Sequence, residues 1–231
     1  MNSRFDLLAF DLDGTLVDSV SEIADAVNDV LHQLSLQPVT DDQVARWVGN
    51  GTATTLLRAL ACRRGVGEAT LANSEELLAA RALFPRCYER HCGTRSRLYS
   101  GVIEALETFR GAGLAMSLVT NKEHRYTLAL LHAHGLDPFF DPVISGDSLS
   151  RCKPWPDGLQ ACMERYGVPP SRTLFVGDSA IDVAAARAAG TTVWLLPHGY
   201  NQGASIESAE ADRVLADFDA LRVALAPDQP G

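Results

Sequence analysis

Two aspartates, Asp11 and Asp13, close the apolar run Phe5 to Phe10 and precede Gly14-Thr15. In an extended segment, side chains at i and i+2 point the same way, so both carboxylates can face one site. Two ionised carboxylates about 4 Å apart repel by roughly 4 kcal/mol at an effective dielectric of 20. A proton, a lysine or a metal must therefore neutralise them, and the chemistry open to the pair is cation binding or acid–base transfer. A calcium loop is the first alternative, because Asp11, Asp13, Thr15 and Glu22 fall on positions 1, 3, 5 and 12 of an EF-hand frame. It fails at position 6, where Leu16 stands in place of glycine, and at the strand-like run before Asp11.

Three further clusters carry polar groups at the ends of apolar runs. Met116 to Val119 leads into Thr120-Asn121-Lys122, and Lys153-Pro154-Trp155-Pro156 opens a helix. Thr173 to Val176 leads into Gly177-Asp178-Ser179-Ala180-Ile181-Asp182. Each alone has a plain structural reading: turn chemistry, a solvated helix entry, or acids favoured by a helix dipole. Together they follow strands or open helices in an order that one parallel sheet can bring to a point. In open α/β sheets that point lies at the carboxyl ends of the strands, where the strand order reverses. The basic residues sharpen this, since 18 of the 20 are Arg and the two Lys, Lys122 and Lys153, both fall inside these clusters. A compact ammonium does a different job from a planar guanidinium fork, so Arg is no substitute at Lys153.

The positioning elements are strands at Phe5–Phe10, Met116–Val119, Val143–Ile144, Thr173–Val176 and Val193–Leu196. Helices are expected at about 102–111, 123–134, 156–166, 180–189 and 218–225. Strands alternating with helices make a parallel sheet, and runs without polar alternation suit strands covered on both faces. Gly190 ends the helix before it as a residue free to take positive φ. More than 80 residues separate the first strand from the second, with helical patterns at about 19–34, 41–48, 52–63 and 74–91. Thr40-Asp41-Asp42-Gln43 has the form of a capping box. Pro85 removes a backbone donor from the last of these helices, so a kink or break is expected there. The fold expected is α/β, a parallel-sheet core with an inserted helical module. The core takes residues 1–16 and 92–231, the module residues 17–91, and the tail Ala226–Gly231 is expected to fray.

The chain has 231 residues, 46% hydrophobic and 21% charged, with a formal net charge of −9. Apolar content this high supports a folded core and excludes disorder as the main state. The acidic balance, with no basic stripe, excludes nucleic acid and anionic membrane as main partners. Five cysteines without a C-x-x-C spacing fit neither a disulfide framework nor a zinc knuckle, so a reducing cytoplasm is expected. No 18-residue apolar span and no signal-like h-region is seen. His132 and His134, two apart on a helix, do not share a face and are not a metal pair. Cys152, beside Lys153, is read as structural or incidental.

On Asp11-Leu12-Asp13-Gly14-Thr15, Thr120-Asn121, Lys153-Pro154 and Gly177-Asp178-x-x-x-Asp182, the sequence resembles the haloacid dehalogenase-like superfamily over essentially its whole length. The resemblance implies a Rossmann-like core with the inserted module as a small α-helical cap, and it implies phosphoryl transfer. Asp11 would attack phosphorus to give an aspartyl-phosphate, while Asp13 would protonate the leaving oxygen and then activate water. It also implies Mg²⁺ held by Asp11, the Asp13 carbonyl and Asp178, with Asp182 orienting a metal-bound water. Thr120, Asn121 and neighbouring amides would hold phosphate oxygens, and Lys153 would balance charge on Asp11. The role of Lys122 stays open.

Asp13 favours a phosphatase or phosphomutase over a dehalogenase, because expelling a halide needs no acid there. Trp47-Val48-Gly49-Asn50-Gly51, Thr120-Asn121-Lys122 and Gly199-Tyr200-Asn201-x-Gly203 are similar to the phosphoglycolate phosphatase branch. That implies a small anionic phosphate monoester, 2-phosphoglycolate, with Gly49, Asn50 and Gly51 offering amides to its carboxylate. Ser100, Trp155 and Pro85 depart from the family pattern and bear on cap geometry rather than chemistry. A sugar-phosphate phosphatase or phosphomutase is the alternative enzyme. A phospho-accepting signalling receiver is the alternative class, disfavoured because its acceptor Asp stands apart from its acid pair. A silent binding protein is disfavoured by the complete motifs. Monomer and homodimer both remain open.

Overall fold

The computed structural model describes residues 4–226, so all of the expected frayed tail but Ala226 lies outside the described residues. Six strands form one sheet: β1 (Leu7–Phe10), β4 (Ala115–Val119), β5 (Val143–Ile144), β6 (Thr173–Gly177), β7 (Thr192–Leu195) and β8 (Arg213–Val214). Their order is β5-β4-β1-β6-β7-β8 and every pairing is parallel. The chain moves outward from β1 through β4 to β5, then returns to the other side of β1 for β6. That reversal puts a crevice at the carboxyl ends of β1, β4 and β6.

Alternation along β1 explains why the sheet is covered twice. Leu8 and Phe10 join one apolar cluster with Leu106, Leu118, Leu130 and Phe218, under α6 (Val102–Gly111), α7 (His124–Ala133) and α10 (Phe218–Leu225). Leu7 and Ala9 join the opposite one with Leu159, Phe175, Val183 and Val193, under α8 (Asp157–Tyr166) and α9 (Ala180–Ala189). Period-two side chains put these sets on opposite faces, and all four β1 residues are buried. Truncating Leu8 to Ala in this setting costs about 2–5 kcal/mol.

Between β1 and α6 lies a helical unit: α1 (Val20–Gln33), α2 (Asp41–Ala45), α3 (Thr52–Arg64), α4 (Glu68–Leu71) and α5 (Glu75–His91). It has its own apolar cluster. Ile23, Val27, Val30 and Leu31 of α1 recur at helical spacing and pack with Leu77, Ala80, Phe84 and Tyr88 of α5. Thr40 and Gln43 make the expected capping box. A short antiparallel pair, β2 (Val17–Asp18) with β3 (Arg97–Leu98), joins the two crossings between this unit and the sheet.

Two expectations need correction, and several short elements carried no signal in the sequence. Pro85 does not break α5, which runs as 17 residues because Phe84 and Tyr88 hold both halves in the apolar cluster. Helix α2 stops at Ala45, and the following residues continue as turns to Gly49. Helix α4 is too short to show a period in sequence. β2, β3 and β8 are two residues each with exposed members, so no apolar run announces them.

Candidate active site

The crevice gathers the acids. Asp11 follows β1, and its backbone N–H donates to Val176 O at 2.9 Å, which fixes it beside the end of β6. Asp178 follows β6, and Asp182 lies in the first turn of α9. One carboxylate oxygen from each of Asp11, Asp178 and Asp182 lies within 4.8 Å of the others, and all three side chains are buried. Lys153 Nζ sits 2.7 Å from Asp11 Oδ1 and 2.7 Å from Asp182 Oδ1. The Asp182 contact is a directed hydrogen bond, whereas Asp11 Oδ1 lacks one. We count the Asp11 contact as an ion pair, because attraction between opposite charges at that distance does not depend on N–H direction.

Asp182 has little left to offer a ligand. Its Oδ2 accepts from the backbone N–H groups of Asp178 and Ser179 and from the Ser179 hydroxyl, at 3.2, 3.1 and 2.7 Å. It therefore caps α9 and anchors Lys153 at once. Asp178 Oδ2 accepts from the Tyr200 N–H at 2.7 Å. Gly14 and Gly199 press on Asp178 so closely that a Cβ at either would overlap its carboxylate. Burial, then the charges of Asp182 and Asp11, push Asp178 well above the usual carboxylate range. Burial likewise lifts Asp11 to about 7 despite Lys153. Burial works to strip Lys153 of its charge and is outweighed by Asp11 and Asp182. Three buried carboxylates share one ammonium, so without a cation Asp11 and Asp178 are driven toward their protonated forms, and the donor set is all oxygen. Those are the requirements of a hard dication such as Mg²⁺.

The Asp13 side chain has partners of its own, distinct from those of Asp11, Asp178 and Asp182. Its two oxygens lie 3.1 and 3.2 Å from Lys122 Nζ, and Oδ1 also accepts from the Ser19 hydroxyl. Each acid of the first pair thus has its own lysine. Only the Asp13 backbone carbonyl remains for the cation ligation expected of this residue. Burial would depress Lys122, but Asp13, Cys92 and Glu22 together hold it above its ordinary value.

Thr120, buried after β4, accepts from the Lys122 N–H at 3.3 Å. Asn121 spends both amide hydrogens on backbone carbonyls, Gly49 O and Lys153 O, each at 2.9 Å. The Asn121 side chain thus ties three segments together instead of offering its NH₂ to a ligand. Gly49, Gly51, Thr52 and Thr120 line a small cavity of about 50 Å³, between the helical unit and the acid pair. Asn50 points elsewhere, donating to Gln202 Oε1 at 3.3 Å.

Sequence reasoning missed several groups. Tyr200 OH accepts from the N–H groups of Ser19 and Val20 and donates to Asp18, clamping the start of α1. Arg58 donates to Gln202 Oε1 at 3.1 Å and Thr52 to Glu123 Oε2 at 2.9 Å, two further ties between the helical unit and the core. Glu22 accepts from Tyr88 OH, Gly93 N–H and Ser96 N–H, so its oxygens are occupied by the protein itself. Only the glycine-bounded Tyr200 loop gave a signal in the sequence. His132 and His134 face different partners, Asp137 and Ser96. No helix among the described residues is long and apolar enough to cross a membrane.

The family description that matches is the haloacid dehalogenase-like hydrolases, over residues 8–196. The chain is 40% identical over 215 residues to a phosphoglycolate phosphatase of Photobacterium profundum, covering 93% of each chain. It is 37% identical to one from Haemophilus influenzae, covering 96% of this chain and 98% of that one. A crystal structure described as a predicted phosphoglycolate phosphatase from Haemophilus somnus 129pt superposes with a TM-score of 0.88 at 33% identity, covering 96% and 99% of the two chains. The chain belongs to the haloacid dehalogenase-like hydrolases. Within that family it is a phosphatase, a phosphoric monoester hydrolase, and the signalling-receiver reading falls away.

Proposed function

We propose that the protein is a Mg²⁺-dependent phosphatase that hydrolyses 2-phosphoglycolate to glycolate and phosphate through an aspartyl-phosphate on Asp11. The observation that carries this is the meeting of Asp11, Lys153, Asp178 and Asp182 at one buried point beside a small cavity. The phosphoglycolate phosphatases among its relatives support the choice of substrate.

In the first displacement an Asp11 oxygen bonds to phosphorus while the bond from phosphorus to the glycolate oxygen breaks. Asp13 gives its proton to that departing oxygen. In the second, Asp13 takes a proton from water as the water oxygen bonds to phosphorus, releasing phosphate and restoring Asp11. Lys153 holds Asp11 and offsets charge gathered on the transferring group. Thr120 and the amides around Asn121 hold phosphate oxygens. Asp11, the Asp13 carbonyl and Asp178 would hold Mg²⁺, with Asp182 acting on it through water. When bound, that ion supplies charge neutralisation for the phosphoryl oxygens.

Residues 17–91 act as a cap over this site, with Gly49 to Gly51 facing the substrate, and closure excludes water. The chain works in the cytoplasm as a monomer or homodimer, without nucleic acid or membrane.

A phosphate-release panel with and without Mg²⁺ tests this. We expect 2-phosphoglycolate to give the highest kcat/KM, with turnover abolished by chelation. A hexose phosphate turned over faster would overturn the substrate assignment.

A further inference from the structure

Resting on the reading of Asp13 as acid and base, we propose that Lys122 is a positioning residue for Asp13, and that Tyr88 of the helical unit fixes Lys122. Lys122 is buried, and its ammonium reaches both Asp13 oxygens while Ser19 reaches one of them. A carboxylate gripped at both oxygens has its plane set, and an acid must be aimed at one atom to transfer a proton in the transition state.

Lys122 is in turn held from the helical unit. Its Nζ lies 4.7 Å from the Tyr88 ring centroid, within range of a cation–π contact strengthened by exclusion of water. Tyr88 cannot drift, because it stacks on Phe84, meets Tyr126 edge-on, and donates its hydroxyl to Glu22 at 3.0 Å. Glu22, fully buried and without a part in the chemistry, also binds Gly93 and Ser96, where the chain re-enters the core. A continuous set of contacts therefore runs from α1 and α5 through Lys122 to Asp13. The proton donor is aimed only when α5 is seated.

Lys122 also lines the cavity, so the competing role is direct binding of the substrate carboxylate. Leaving groups separate the two. Glycolate departs as an alkoxide that needs the Asp13 proton, whereas p-nitrophenolate leaves without one. First-turnover release is measured by rapid quench with 2-phosphoglycolate, ethyl phosphate and p-nitrophenyl phosphate for Lys122→Met, Tyr88→Leu and Tyr88→Phe. We expect Lys122→Met and Tyr88→Leu to lose on the order of 10²-fold on both alkyl phosphates. Release of p-nitrophenolate should change little, and Tyr88→Phe, which keeps the ring over Lys122 but gives up the bond to Glu22, should lose clearly less on the alkyl phosphates than Tyr88→Leu.

Equal losses on all three substrates would overturn the proposal, as would a loss on 2-phosphoglycolate with ethyl phosphate spared. Should Lys122→Met fail to fold, the contrast between Tyr88→Leu and Tyr88→Phe decides the matter. Turnover retained by Asp11→Asn would instead strike the aspartyl-phosphate reading beneath it, and this proposal with it.

Discussion

Lys153 Nζ donates to Asp182 Oδ1 at 2.7 Å, and both side chains are closed off from solvent. Through this bond the first turn of α9 holds the lysine against Asp11, so the helix cap and the Asp11 carboxylate share one cation. Replacing Lys153 by Met leaves buried carboxylates uncompensated. Breaking such a pair costs about 3–5 kcal/mol. Urea unfolding should show that loss together with abolished turnover. Lys153→Arg should not restore activity, since a guanidinium fork does not fit between two buried oxygens placed for a point charge. Full activity in the Arg variant would contradict this.

The Asn121 amide should matter for assembly more than for ligand contact. Asn121→Asp places a carboxylate against the carbonyls of Gly49 and Lys153, where two N–H donors stood. Leaving buried acceptors unpaired costs about 1–3 kcal/mol each. We expect a lower unfolding midpoint and a raised KM, because the cap loop loses its tie to the core. An unchanged midpoint in denaturant would refute that.

The pH dependence of the metal-free protein follows from Asp11. Its carboxyl, lifted by burial from 3.8 to about 7, keeps a proton in the folded state that the unfolded chain has lost. That contribution to stability is complete below about pH 4 and is lost as pH rises through about 7. Asp178, raised in the same direction, adds to the trend. Mg²⁺ competes with those protons, so the gain in Tm on adding Mg²⁺ should be small at pH 5 and large at pH 8. A gain independent of pH would argue against binding by these carboxylates.

Tyr200→Phe removes the acceptor for two N–H groups at the start of α1 and the donor to Asp18. We expect a loss of about 1–3 kcal/mol, visible as faster hydrogen exchange at Ser19 and Val20. Exchange unchanged at those two amides would show that the clamp is not needed.

What could be read from the sequence was what repeats locally. Asp11, Thr120, Lys153 and Asp178 each follow an apolar strand or open a helix, so motif and element announced each other. Both lysines were marked by their rarity, yet only the fold shows that Lys122 serves Asp13 while Lys153 serves Asp11 and Asp182. Tyr200 meets Ser19 across 181 positions, and Glu22 meets Gly93 across 71. No local pattern encodes contacts of that kind, because they depend on how the helical unit is seated. Asn121 was expected to contact ligand because it stands in the Thr120-Asn121 motif of the family resemblance. Its donors are spent on Gly49 and Lys153, which become neighbours only after folding.

The most direct test is to find where the phosphoryl group goes. The enzyme, mixed with 2-phosphoglycolate and Mg²⁺, is quenched in acid within a turnover, digested and examined by mass spectrometry. One phosphoryl group on the peptide at Asp11, absent from Asp11→Asn, is the expected result. Turnover retained by Asp11→Asn, or the label on another residue, would contradict it.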